Sequence, residues 1–245
     1  MIRVLLCLLV LAAGCSSDGN PVSPGGAPAV RVLMLTATAG FRHDSIPTAR
    51  QVMATLSAST REFDVRPTED LLEVTAAGLG SYDVLFFALT SGELAFTADQ
   101  RAAILNFVAS GHGFVGVHSA SDTLHGWVEY GQLVGAFFKE HPWTQQGTVI
   151  VEDTSHPATA GLGDRFTLTE EFYTFVENPR PSVHVLLRLD PASVGATGDY
   201  PLAWSHSVGS GRAYYNALGH FSDTWNDPRF QRQIVGAIRW AAGRG

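Results

Sequence analysis

Cysteine is nearly absent from this chain. It has two, Cys7 and Cys15, both near the N-terminus. The rest of the sequence therefore has no disulfide, no cysteine-based metal site and no thiol nucleophile. Lysine is scarcer still: Lys139 is the only one, and the other positive charges are arginines scattered along the chain. With a net charge of -7 and no basic stripe, the chain lacks the clustered cations that neutralise phosphates, which argues against nucleic acid. No apolar run reaches the roughly 20 residues that a membrane-spanning helix needs. There is no GxGxxG either. The loop after the first predicted strand reads TATAGFRHD (36–44), without a glycine-lined pyrophosphate turn, so no nucleotide cofactor is expected.

What is present is enough for a core. The chain has 245 residues, 45% of them hydrophobic and 16% charged, which suits one large domain or two small ones and excludes disorder.

The first residues read as an export signal. Arg3 is a minimal positive region, Val4 to Leu11 is apolar, and Ala12-Ala13-Gly14 places small residues before Cys15. Leu11-Ala12-Ala13-Gly14-Cys15 resembles a lipobox, with Ala12 where leucine is more usual. It implies removal of residues 1–14 and a diacylglycerol on Cys15. Residues 15–29 are rich in Ser, Gly and Pro, as a flexible tether would be. We expect a protein of the cell envelope, anchored at the outer membrane, in the periplasm or at the cell surface, with one domain over residues 30–243.

Within that domain, Val30–Leu35 reads as a buried strand. Pro47 opens a helix with Ala49, Val52, Met53 and Leu56 on one face. Phe63 and Val65 suggest a short strand, and Tyr82–Leu89 (YDVLFFAL) is a continuous apolar run, as in a strand buried on both faces. Thr97 and Gln100 form a capping box for a helix that Gly111 ends, and Gly113–Val117 is the next strand. This alternation predicts an α/β fold: a doubly wound, mostly parallel sheet flanked by helices in three layers. The second half has fewer helices. Thr148–Glu152, Val183–Leu189, Pro201–His206 and Arg212–Leu218 read as strands, so some antiparallel extension is expected. A last helix runs from Asp227-Pro228 to Ala242 with Phe230, Ile234, Ile238 and Ala241 on one face.

In open α/β sheets, ligands bind beyond the carboxyl ends of the strands. Gly40-Phe41-Arg42-His43-Asp44, Thr90-Ser91-Gly92-Glu93, His118-Ser119-Ala120-Ser121-Asp122 and Gly219-His220 all follow predicted strands. Gly116-Val117-His118-Ser119-Ala120 has small residues two before and two after a central one. That spacing fits the sharp strand-to-helix turn of a nucleophile elbow, here carrying an imidazole. His118 is the leading catalytic candidate, with His220 and Glu171 as partner acid or base. Of Glu170 and Glu171, one is expected to be solvated and Glu171 to point inward. His43, Arg42, Ser119, Asp122 and Glu93 are candidate substrate-binding residues. His141-Pro142 and His156-Pro157 read as turn features. His112, His125, His184 and His206 read as structural or solvated, and Trp127, Trp143, Trp204 and Trp225 as packing residues rather than sugar platforms.

The stretches GFRHDSI (40–46), GFVGVHSASDT (113–123), LVGAFFKEHP (133–142), VEDTSHPAT (151–159), EEFYTF (170–175) and GRAYYNALGH (211–220) resemble the ThuA-like (trehalose utilisation) family. Its fold is similar to that of class I glutamine amidotransferases. Those enzymes carry cysteine at the elbow, whereas this chain has His118 there, so glutamine hydrolysis through a thioester is not available. The resemblance implies instead a role in carbohydrate catabolism, on keto-glycosides of trehalose-like disaccharides. It implies a site of His43, His118, Glu171 and His220, with Arg42, Ser119 and Asp122 around it.

The expected partner is thus a small-molecule carbohydrate, and the expected chemistry acid/base work centred on His118. A variant has His43, His118 and His220, or two of them with Glu171, holding a divalent metal. The competing class is non-enzymatic: a tethered sugar-binding or surface protein that keeps the amidotransferase-like fold.

Overall fold

A computed structural model describes residues 29–244. The signal segment, Cys15 and nearly all of the tether lie outside the described residues. In chain order the elements are β1 (Val30–Leu35), α1 (Ile46–Thr60), β2 (Phe63–Thr68), α2 (Ala76–Leu79), β3 (Val84–Ala88), α3 (Ala98–Ala109) and β4 (Gly113–Val117). They continue with α4 (Val128–Val134), β5 (Phe138–Val151), β6 (Arg165–Phe175), β7 (His184–Leu189), β8 (Pro201–Val208), β9 (Gly211–Asn216), α5 (Ser222–Asn226) and α6 (Pro228–Ala241).

All nine strands form one sheet, in the order β2-β1-β3-β4-β9-β8-β7-β5-β6. β2, β1, β3, β4 and β9 run parallel, and from β9 outward every pairing is antiparallel. The expected class is thus observed, with the antiparallel part larger than a simple extension. Every residue of β3 and β4 is buried, which explains why their sequences carry no polar alternation. The helices follow their local signals. Thr97 and Gln100 make the reciprocal capping box of α3. Asp227 caps α6, with Pro228 in its first turn, and Phe230, Ile234, Ile238 and Ala241 are buried.

β5 and β6 depart from the sequence reading. β5 begins at Phe138 rather than Thr148, and β6 is not among the expected strands. The first half of β5 is largely exposed, including Lys139 and Glu140, so apolar periodicity does not mark it. His141 lies inside this strand and not in a turn, next to a register shift between Glu140 and Trp143.

His156 keeps its expected turn role. Its Nδ1 accepts from Ala158 N at 3.1 Å, so Nε2 carries the ring proton, and that buried Nε2 has no partner among the described residues. Burial pushes this imidazole down to about 4, against an attraction to Asp153. The folded protein thus binds fewer protons here than the unfolded chain between pH 6.5 and 4. Stability is fully present above the unfolded value and is lost as pH falls through this window. The limit is on the order of 3 kcal/mol at 1.36 kcal/mol per unit. Denaturant melts across pH 4–7 should show His156→Gln with a shallower acid loss than the parent; parallel profiles would sink this assignment.

Candidate functional site

The carboxyl ends of β1, β4 and β9 deliver three histidines to one point. His118 directly follows β4 and occupies the left-handed region, φ 53°, a conformation costing about 1–3 kcal/mol and concentrated at functional sites. Its neighbours make the turn fit. A Cβ added at Gly116 would stand 3.2 Å from the Tyr215 ring and 3.3 Å from Ala120 Cβ. Tyr215 Oη donates to the His118 carbonyl at 2.7 Å and pins the elbow backbone. Gly219, at φ 119°, lets the chain leave β9 sharply and sets His220 beside His118.

Glu171 comes from β6, at the far edge of the sheet by strand order. Its Oε2 is nevertheless 3.0 Å from His220 Nδ1 and 3.5 Å from His118 Nε2. The β5–β6 ribbon must therefore curl back over the carboxyl ends of the parallel strands. With His43, these residues offer four donor atoms that all lie within 4.8 Å of one another. The polar partners of the cluster are defined. His118 Nδ1 is 2.8 Å from Ala217 O, so it donates there, and Nε2 faces the cluster with a lone pair when the ring is neutral. Tyr173 Oη is 2.9 Å from that Nε2. Ser119 Oγ lies 3.4 Å from His43 Nδ1, and His141 Nδ1 3.3 Å from Glu171 Oε1.

The electrostatics fit this crowding. Burial pushes the His43 imidazole down to about 3, helped by the neighbouring His118 and His220. Burial would raise Glu171, but hydrogen bonds from His118 and His220 outweigh it and hold the carboxyl well below the usual range. Burial would lower His220, but the hydrogen bond and charge of Glu171 win and raise it.

Glu170 corrects the sequence reading: it is not the solvated member of the pair but fully buried. Its oxygens accept from Glu171 N at 3.0 Å, Gly219 N at 2.9 Å, His220 N at 3.1 Å and Thr224 Oγ1 at 2.7 Å. It holds the backbone that carries two members of the cluster.

The remaining candidates fall into two groups. Ser119 is buried against His43, and Asp122 is half-buried, raised by burial against the pull of His125, to which it is paired at 3.2 Å. Arg42 instead turns to Glu69 at 2.8 Å, and Glu93 accepts from Gly126 N at 3.0 Å to hold a loop. Neither lines the adjoining cleft. Tyr173, His141 and Glu170 are the site residues the sequence reading missed. The spacing Glu171-Tyr173 on one strand was the available signal for the tyrosine.

His43 and His220 open into a cleft of about 670 Å³. Phe41, exposed at 66%, meets the His43 ring edge-on at 4.8 Å, and Phe221 meets His220 at 4.5 Å. Leu168, Thr169, Ser222 and Asp223 also line it. Trp127, Trp204 and Trp225 are buried in the core, as expected of packing residues.

A doubly wound sheet with an elbow at β4, where His118 stands, defines a protein with the amidotransferase-like fold. The sequence matches the ThuA (trehalose utilisation) family over residues 31–241, and the chain belongs to that family. Among solved structures, a ThuA-like protein from Bacteroides uniformis is 25% identical with a TM-score of 0.76, covering 91% of this chain and 95% of that one. A ThuA-like protein from Parabacteroides merdae is 17% identical with a TM-score of 0.72, over 87% and 90% of the two chains. A GMP synthase component from Thermoplasma acidophilum, 11% identical with a TM-score of 0.55, shares the fold over 89% of this chain and 96% of its own. Curated protein sequences give no significant match.

Proposed function

We propose that this protein is an exported, lipid-anchored enzyme acting on a carbohydrate, an oxidised (keto) glycoside of a trehalose-like disaccharide. One observation carries the reading: two members of the His43, His118, Glu171 and His220 cluster, His43 and His220, line a cleft whose walls suit a sugar, with His118 and Glu171 buried against them. The cleft falls within the range of small-molecule sites and combines aromatic faces with a few polar groups. Phe41 and Phe221 offer surface to the apolar face of a ring, and Thr169, Ser222 and Asp223 offer partners for hydroxyls.

A keto group acidifies the adjoining C–H. A base removes that proton, and the electron pair moves onto the carbonyl oxygen. The carbon is then reprotonated, or the glycosidic C–O bond breaks and the leaving oxygen takes a proton. Both routes need an acid, a base and a stabilised oxyanion. His118, Glu171 and His220 supply groups of these kinds within 3.5 Å of one another.

The full chain should consume a 3-keto disaccharide and leave the unoxidised sugar untouched. Equal action on both, or on neither, would sink the keto-glycoside reading. Ligand binding without turnover would leave a tethered sugar-binding protein. Phe41→Ala should raise KM by about 5–20-fold with kcat little changed, as loss of uniform binding does. An unchanged KM would remove Phe41 from the sugar platform.

Export and anchoring rest on the motif at Cys15. Cys15→Ser should abolish labelling by radioactive palmitate and move the protein from the membrane to the soluble fraction. Persistent labelling would refute the anchor.

A further inference from the structure

We infer that His43, His118, Glu171 and His220 bind one divalent transition-metal ion. The inference deepens the carbohydrate reading, on which it rests for the substrate, and revises one point of it: the lone pairs of His118, Glu171 and His220 would hold the ion, which would supply the oxyanion stabilisation, and the proton transfers would fall to groups outside these three. Its first support is overcrowding. Within 3.5 Å of His118 Nε2 stand Tyr173 Oη at 2.9 Å, His220 Nδ1 at 3.2 Å and Glu171 Oε2 at 3.5 Å. A ring nitrogen carries one lone pair or one proton, so it can satisfy one of these neighbours and not all three. His220 Nδ1 is likewise shared between Glu171 Oε2 at 3.0 Å and His118 Nε2. A single cation among the donors serves the lone pairs of His118, His220 and Glu171 at once, and releases the Tyr173 hydroxyl from Nε2.

The spacing agrees. Ligands 2.0–2.1 Å from a tetrahedral ion stand roughly 3.3 Å from one another. The separations among Glu171, His118 and His220 are 3.0, 3.2 and 3.5 Å, and His43 closes the set within 4.8 Å. The outer partners also follow the habit of metal sites, in which a ligating imidazole donates its other N–H to a fixed acceptor. His118 Nδ1 does so to Ala217 O, and His141 stands on the second oxygen of Glu171. Three imidazoles and one carboxylate select zinc, manganese, iron or cobalt over the all-oxygen preference of calcium and magnesium. His43 and His220 face the cleft, so a sugar oxygen has a route to such an ion.

The test needs no substrate. The full chain, purified without chelator, is stripped and titrated with zinc, manganese and cobalt(II). Bound metal is read by plasma mass spectrometry, and cobalt also by its visible absorption. We expect about one ion per chain. His220→Ala and His43→Ala should each weaken binding by more than about 100-fold, beyond the 10–100-fold that outer partners are worth. His184→Ala, which alters an exposed pair with Asp153, should bind as the parent does. Circular dichroism confirms that each variant is folded, and having two ligand variants guards against one that is not. No binding by the parent, or undiminished binding by both folded ligand variants, overturns the inference. A chain that binds metal yet ignores keto-glycosides overturns the carbohydrate reading alone.

Discussion

His118→Asn will lower kcat/KM for a keto-glycoside by about 10²–10⁴-fold, the range spanned by loss of a positioned acid or base, and loss of a metal ligand acts in the same direction. Asparagine is the informative replacement because it tolerates the left-handed backbone that His118 occupies at φ 53°. The elbow can therefore stay folded while its imidazole is removed. The contacts that disappear are Nδ1 to Ala217 O at 2.8 Å and those of Nε2 with Tyr173 Oη at 2.9 Å, His220 Nδ1 at 3.2 Å and Glu171 Oε2 at 3.5 Å. Losing them costs about 1–3 kcal/mol, offset in part by the relaxed backbone. Calorimetry should show a variant that still unfolds cooperatively, a few degrees below the parent. The decisive comparison is turnover against affinity. An enzyme loses kcat with modest loss of ligand binding, and a sugar-binding protein keeps its ligand and has no turnover to lose. Wild-type turnover in the variant would remove His118 from the chemistry.

The parallel half of the fold is legible because its signals are local. The apolar run Val84–Ala88 needs no partner to be read as a buried strand, and the Thr97–Gln100 capping box is a contact across three residues. The same holds for three of the four central side chains: His43, His118 and His220 each follow a parallel strand, and the rule that ligands sit beyond carboxyl ends collects them. The antiparallel ribbon resists because its first half is solvent-facing and its geometry is made by tertiary curvature. Nothing in EEFYTF says that a strand at the sheet edge returns to meet β4 and β9. Likewise His141 lies next to a proline, which reads as a turn, while in the fold it stands on Glu171. The misjudged Glu170 has the same origin: its donors at 219, 220 and 224 lie about fifty residues away in sequence, and no local pattern announces them.

Glu170 should prove the most structurally costly residue of the site, and the two replacements of it separate its roles. Oε1 accepts from Glu171 N and His220 N, and Oε2 from Gly219 N and Thr224 Oγ1. Glu170→Ala leaves these buried donors unpaired and opens a void, at about 1–3 kcal/mol for each group that water does not recover. A total near 4 kcal/mol corresponds to a fall in Tm of about 8–16 °C for a domain of this size. Glu170→Gln is milder, and its orientation is dictated. An amide nitrogen at the Oε1 position would face two N–H donors that cannot turn. At the Oε2 position it can donate to Thr224, whose hydroxyl rotates to accept. Gly219 N is then the one group left unpaired, so the glutamine variant should lose only about 1–3 kcal/mol. Because Gly219 and His220 share this anchor, both variants should also lose turnover, the alanine variant more. Adding Thr224→Val to Glu170→Gln should deepen the loss, since the rotating hydroxyl is what accommodates the amide. A Glu170→Ala protein that melts with the parent would show that the β9–α5 turn holds His220 in place without this carboxyl.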